Sequence, residues 1–111
     1  MTNFFVLYNS PVSAAEMMAN STPEEMKAGM DAWMAWGQRN GDSLVDFGLP
    51  LGSSTHIEAG SASPGSSQAS GYSIVQAESL DAAEKMLEDH PHLQMSGNSI
   101  DVLECLPMPG A

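Results

Sequence analysis

From Asn3 to Tyr8 the chain is apolar on both alternating sides, Phe4, Val6 and Tyr8 on one and Phe5 and Leu7 on the other. That pattern predicts a strand in mid-sheet with both faces covered. Asn9 to Asn20 opens with a turn at Ser10-Pro11 and holds a short helix-compatible piece, Ala14 to Met18, read as loop or a single turn. Thr22-Pro23-Glu24-Glu25 is a capping box with proline at the first helical position, where its missing amide is no loss. A helix follows to about Asn40, with Met26, Met30, Trp33, Met34 and Gly37 as its buried face. Gly29 and Gly37 suggest close backbone approach to a sheet, and Asn40-Gly41 a left-handed stop.

Ser43 to Gly48 predicts a second strand, which Thr55 to Glu58 resumes after a break at Gly52-Ser53. Gly60 to Ser70, GSASPGSSQAS, is almost wholly small and polar and predicts a mobile, dispensable hairpin loop. Gly71 to Ala77 mixes β-branched and aromatic residues as a third strand. It runs into Ser79, the N-cap of a helix whose apolar face is Leu80, Ala83, Met86 and Leu87, and which Pro91 stops. Ser99 to Leu106 is a fourth strand whose Asp101 and Glu104 suit a sheet edge. The order predicts an α+β, ferredoxin-like βαββαβ fold: a four-stranded antiparallel sheet with two helices on one face, in one domain spanning residues 1–111.

The ordered sequence pieces FFVLYNS, TPEEM, NGDSLVDFGLPL, GYSIVQAESLDAAEKMLEDHPHL and IDVLECLPM together resemble the YCII-related (DGPF) family. They cover nearly the whole chain apart from Gly60 to Ser70. The resemblance implies a dimeric α+β barrel with a cleft between sheet and helices proposed as an active site. Some relatives pair a histidine on the first helix with an aspartate; here that helix has no histidine, with Met30 and Asp31 near the expected place, and the DGPF tetrapeptide is absent.

Charge narrows the partners. Fourteen acidic residues against three basic ones, a formal net charge of -11, would repel a phosphate backbone or an anionic membrane, so neither nucleic acid nor a membrane is expected as partner. The lone Cys105 excludes an intrachain disulfide and reads as a small buried hydrophobe. With no basic leader or apolar span, a cytoplasmic location is expected.

Catalytic motifs are absent: no nucleophile elbow, phosphate loop, dinucleotide fingerprint or zinc-protease spacing occurs, and no cofactor is expected. His56 and Glu58 alternate on a strand but do not make a metal site by themselves. His90 closes the second helix, where a cation is favoured by the helix dipole. His92 can turn beneath the sheet; meeting Asp46 it would form a carboxylate-oriented general base, and otherwise it is a surface or loop-anchoring histidine. Asp46, between Val45 and Phe47, lies either on a solvated face or among donors in a cleft. Tyr8, Met30, Trp33 and Tyr72 serve as core or line an apolar ligand pocket.

Three functions compete. One is a protein binding a small molecule in the cleft of a homodimeric α+β barrel. Another is a cofactor-free hydrolase, isomerase or lyase acting on a small organic acid through Asp46 and His92. A third is a structural dimer without ligand. Two helices can cover only one face of four strands, so the second face is expected to meet a second copy of the chain.

Overall fold

In the computed structural model, which describes residues 1–109, the elements run β1 (Thr2–Asn9), α1 (Ala14–Asn20), α2 (Pro23–Arg39), β2 (Leu44–Asp46), β3 (Thr55–Glu58), β4 (Ser61–Pro64), β5 (Ala69–Ala77), α3 (Leu80–Leu87) and β6 (Ser99–Glu104). Short 3-10 turns fill Gly41–Ser43 and Pro91–Gln94. β2, β5, β1 and β6 lie in that order in one antiparallel sheet, so the expected ferredoxin-like arrangement is present, with β1 and β5 central and β6 at an edge. Each helical crossover returns the chain to the same side.

Alternation along β1 and β5 sorts the sheet into two faces. Phe4, Val6 and Tyr8, with Ser73, Val75 and Ala77, are buried on one face under Trp36 of α2 and Ala83 and Leu87 of α3. Phe5, Leu7, Tyr72 and Ile74 alternate with them and stay half exposed; Leu103, opposite Phe5, is exposed.

Both helix starts form as their sequences require. Thr22 Oγ1 accepts from the Glu25 amide at 3.1 Å while Glu25 accepts from the Thr22 amide at 3.0 Å, and Ser79 Oγ accepts from the Ala82 amide at 3.1 Å. Other expectations fail for definable reasons. Ala14–Asn20 is a two-turn helix, because Ser13 caps it through the Glu16 amide. The core-facing stripe of α2 centres on buried Trp36, with Trp33, Gly37 and Asn40 half-buried beside it, so Met26, Met30 and Met34 are exposed. The first half of α2, residues 23–31, is exposed throughout and so overhangs the packed core, and Gly29 has open space around its Cα. Asn40 does not enter the left-handed region; its side-chain amide donates to the Trp36 carbonyl at 2.9 Å and the chain continues into a 3-10 turn. Leu80 is exposed at the start of α3, and Cys105 is exposed beyond β6.

Gly60 to Ser70 also departs from the expected loop. Thr55–Glu58 does not extend β2 but pairs with Ser61–Pro64 in a separate two-stranded sheet, closed by Ala59-Gly60 with Gly60 at φ +83°. Ser10 donates to the Gln68 carbonyl at 2.9 Å, Leu51 to Ser70 at 3.0 Å, and Pro50 bridges Gly71, so the ribbon grows out of the main sheet as an arm. The extents, 46 × 45 × 20 Å, and a radius of gyration of 15.5 Å exceed the ~13 Å of a compact chain of this size, as the arm and the overhanging helix require.

Candidate functional site

The densest chemistry lies between the helix-covered face and the C-terminal half of α2. Tyr8 reaches it from β1, Trp33 and Trp36 from α2, and His90 and His92 from the segment after α3 that Pro91 forces out of helix. Ring centroids place Trp33 4.6 Å from Tyr8 and 4.4 Å from His90, His90 4.8 Å from Tyr8 and 4.5 Å from Trp36, and His92 5.4 Å from Tyr8. Most contacts are edge-to-face, the geometry ring quadrupoles favour. Trp36 is tied down by its indole N–H, which donates to the Met86 carbonyl of α3 at 3.1 Å.

Hydrogen bonds assign the histidine protons. His90 Nδ1 accepts from the backbone amide of His92 at 3.0 Å, so neutral His90 carries its proton on Nε2. That nitrogen is buried and has no hydrogen-bond partner among the described residues. Burial, reinforced by His92, lowers the His90 pKa to about 4 against a weaker opposing pull from Asp89, so near pH 7 the ring is neutral rather than the helix-end cation its position suggested. His92 Nε2 donates to the Asn9 carbonyl at 2.8 Å, and its Nδ1 lies 3.5 Å from the Asn98 amide. Tyr8 donates to Ser73 Oγ at 2.9 Å and Ser73 donates onward to the Phe47 carbonyl at 2.7 Å. Burial raises the Tyr8 pKa to about 12 although the Ser73 bond pulls the other way.

Of the residues singled out from the sequence, Tyr8, Trp33 and His92 meet here. Met30 lies one turn before Trp33 on α2 and is 59% exposed. Tyr72 is on the opposite face of the sheet, stacked on Phe5 at 5.7 Å, so the two tyrosines cannot line one cleft. Asp46 is exposed on the edge strand β2, where Oδ1 accepts from the Gly48 amide at 2.9 Å. Gly48, at φ +84°, passes so close to the Tyr72 carbonyl that no side chain fits there. No hydrogen bond joins Asp46 to His92 among the described residues. The sequence reading takes His90 as a helix-end residue and does not single out Trp36 or Ser73. The i, i+3, i+4, i+7 series Trp33, Trp36, Gly37 and Asn40 was the legible signal for Trp36.

Within the cluster Tyr8, Trp36, His90 and His92 are buried and Trp33 is half-buried. Two shallow surface depressions, of about 320 and 350 Å³, lie elsewhere, at Gln38–Ser43 and between Met1–Asn3 and Glu104–Pro107. Neither has aromatic lining, and the buried cluster is the chemically stronger location. Among the described residues no group of three His, Cys, Asp or Glu side chains could hold a metal ion, and no helix is long and apolar enough to cross a membrane.

No protein-family model matches this sequence, and no curated protein matches it. Among solved structures the chain is similar to 5-chloro-2-hydroxyhydroquinone dehydrochlorinase from Burkholderia phenoliruptrix AC1100, in complex with 2,5-dihydroxybenzoquinone, at 17% identity over 91% of each chain with a TM-score of 0.50. The likeness is one of fold.

Proposed function

We propose that this protein binds a small, planar, largely apolar molecule between the sheet and α2, as a homodimeric α+β barrel of the kind the YCII resemblance implies. The observation that carries the reading is His90 Nε2, a buried donor inside an aromatic cluster with no acceptor among the described residues. Leaving such a group unpaired costs about 1–3 kcal/mol, and a ligand carbonyl or hydroxyl would supply the acceptor. Tyr8 and Trp33 would stack on the ligand, and Met30 would stand at the mouth beneath the overhanging half of α2. Entry requires Trp33, which is only half buried, to swing aside. A quinone in the complex of the similarly folded dehydrochlorinase makes quinones the first ligand class to try.

The dimer is supported by the second sheet face, where Phe5, Leu7, Tyr72, Ile74 and Leu103 make an apolar surface that no long helix covers. Burying it at ~25 cal/mol per Å² favours association, against a repulsion between copies of charge -11 that salt screens beyond ~8 Å. The alternative, a cofactor-free enzyme using Asp46 and His92, draws less support, since His92 is held by Asn9 and Asn98 and Asp46 by Gly48.

Titrating 2,5-dihydroxybenzoquinone into the labelled protein while following the two indole N–H signals tests the binding reading. Saturable shifts of Trp33 and Trp36 that disappear in Trp33→Ala are expected. Indole signals that stay fixed at millimolar quinone would refute this site for this ligand class.

A further inference from the structure

The arm from Pro50 to Gly71 is exposed along β3 and β4, and its paired strands touch no other element as an extended contact. Two-stranded ribbons are marginal in water, and open strand edges are templates for pairing unless they are blunted by charge, bulges or cover. This ribbon has little of that protection. Between Leu49 and Gly71 the only acidic residue is Glu58, 3.2 Å from His56, although the stretch is about a fifth of a chain with 14 acidic residues. Ile57, a large aliphatic side chain near the tip, is 74% exposed.

Charge and area together indicate what covers it. A chain of net charge -11 repels its own copies, and the arm, with Glu58 as its one acidic residue, can lie on another copy with little repulsion. Four strands of these lengths present a flat footprint of only ~400 Å², whereas a stable interface takes ~800 Å² from each partner. The ribbon reaches ~25 Å beyond the sheet and is ~10 Å wide, so each face offers ~250 Å². An arm given and an arm received bring each copy to the usual interface size.

We propose that the arm is a clasp: in the homodimer, residues 53–65 of each copy lie across the second copy, with Ile57 as the anchoring side chain. The proposal rests on the homodimer reading. It also predicts that the segment is dispensable for folding of one chain but required for tight association, because within one chain it covers no core.

Sedimentation equilibrium on three forms tests it: the full chain, a variant with residues 53–65 replaced by an Asn-Gly turn, and Ile57→Asp, whose exposed position leaves the fold intact. Circular dichroism checks folding of each. The expected result is a dimer of twice the 11.7 kDa chain mass for the full protein, with the dissociation constant raised at least tenfold in both variants. A dimer equally tight in Ile57→Asp and in the shortened form would overturn the clasp and leave the homodimer standing. A full chain that stays monomeric at 100 µM would overturn both. Leu103→Asp, on the open sheet face, should weaken association as the arm variants do, because arm and sheet together supply the interface area; normal association in this variant would remove the sheet footprint and overturn the clasp as well.

Discussion

The two faces of the sheet share their strands and their alternation, yet they differ in what holds them. On the covered face, Phe4, Val6, Tyr8 and Val75 are closed off by Trp36, Ala83 and Leu87, and the polar groups Tyr8 and Ser73 pass their hydrogen bonds on to a backbone carbonyl. Across the sheet, Phe5 and Tyr72 stack on each other, and Leu103 has solvent beside it. Period-two alternation assigns side chains to faces without saying which face the helices take. That choice follows from the chirality of the crossovers. The lesson extends to α2, which is one helix by sequence but divides into a packed half and an overhanging half.

The largest difference between the faces should appear on truncation. Trp36→Ala removes a fully buried side chain and its bond to Met86, and is expected to destabilise the protein by about 3–5 kcal/mol. Leu103→Ala should change the unfolding free energy of the monomer by no more than about 1 kcal/mol. Urea unfolding of both at low protein concentration measures this; equal losses would mean the open face is packed within one chain.

Acid should act on the covered face through His90. The folded pKa of His90, about 4, lies below the ordinary 6.5, so the unfolded chain binds more protons between those values. The stability due to neutral His90 is therefore complete above pH 6.5 and lost as pH falls toward 4, by on the order of 3 kcal/mol. His90→Phe should flatten that part of the profile. An unchanged slope between pH 6.5 and 4 in this variant would show that other groups cause the acid sensitivity.

The smallest expected effect is at the overhanging end. Thr22→Ala removes one half of the capping box and should weaken the first turn of α2 by about 1 kcal/mol. Because that turn touches no core, amide exchange after Pro23 should quicken while the melting temperature moves by less than the ~5 °C a global loss of that size would produce. A shift of the full size would place the overhanging half in the cooperative core.

Much of the fold was legible because its signals are local. Thr22-Pro23-Glu24-Glu25 and Ser79 start helices through hydrogen bonds spanning three residues, and the alternation of Phe4 to Tyr8 requires a central strand. The candidate site was legible only in part. Tyr8, Trp33 and His92 could be named as residue types, but the role of His90 depends on Nδ1 meeting the His92 amide and on rings arriving from α2 and β1. Tyr72 was grouped with Tyr8 because both sit on central strands. The antiparallel register sends them to opposite sides.

Order of elements, caps and the acidic balance are properties of neighbouring residues and of summed charge, and they can be read along the chain. Whether the Met26, Met30 and Met34 stripe or the Trp33, Trp36 and Gly37 stripe is buried depends on how far the sheet extends beneath α2. Whether Thr55–Glu58 extends the sheet or pairs with Ser61–Pro64 depends on where the chain bends at Gly48 and Gly60. Both are competitions between distant surfaces of similar hydrophobicity, and burial free energy, which is non-directional, is allotted only once the elements are in place.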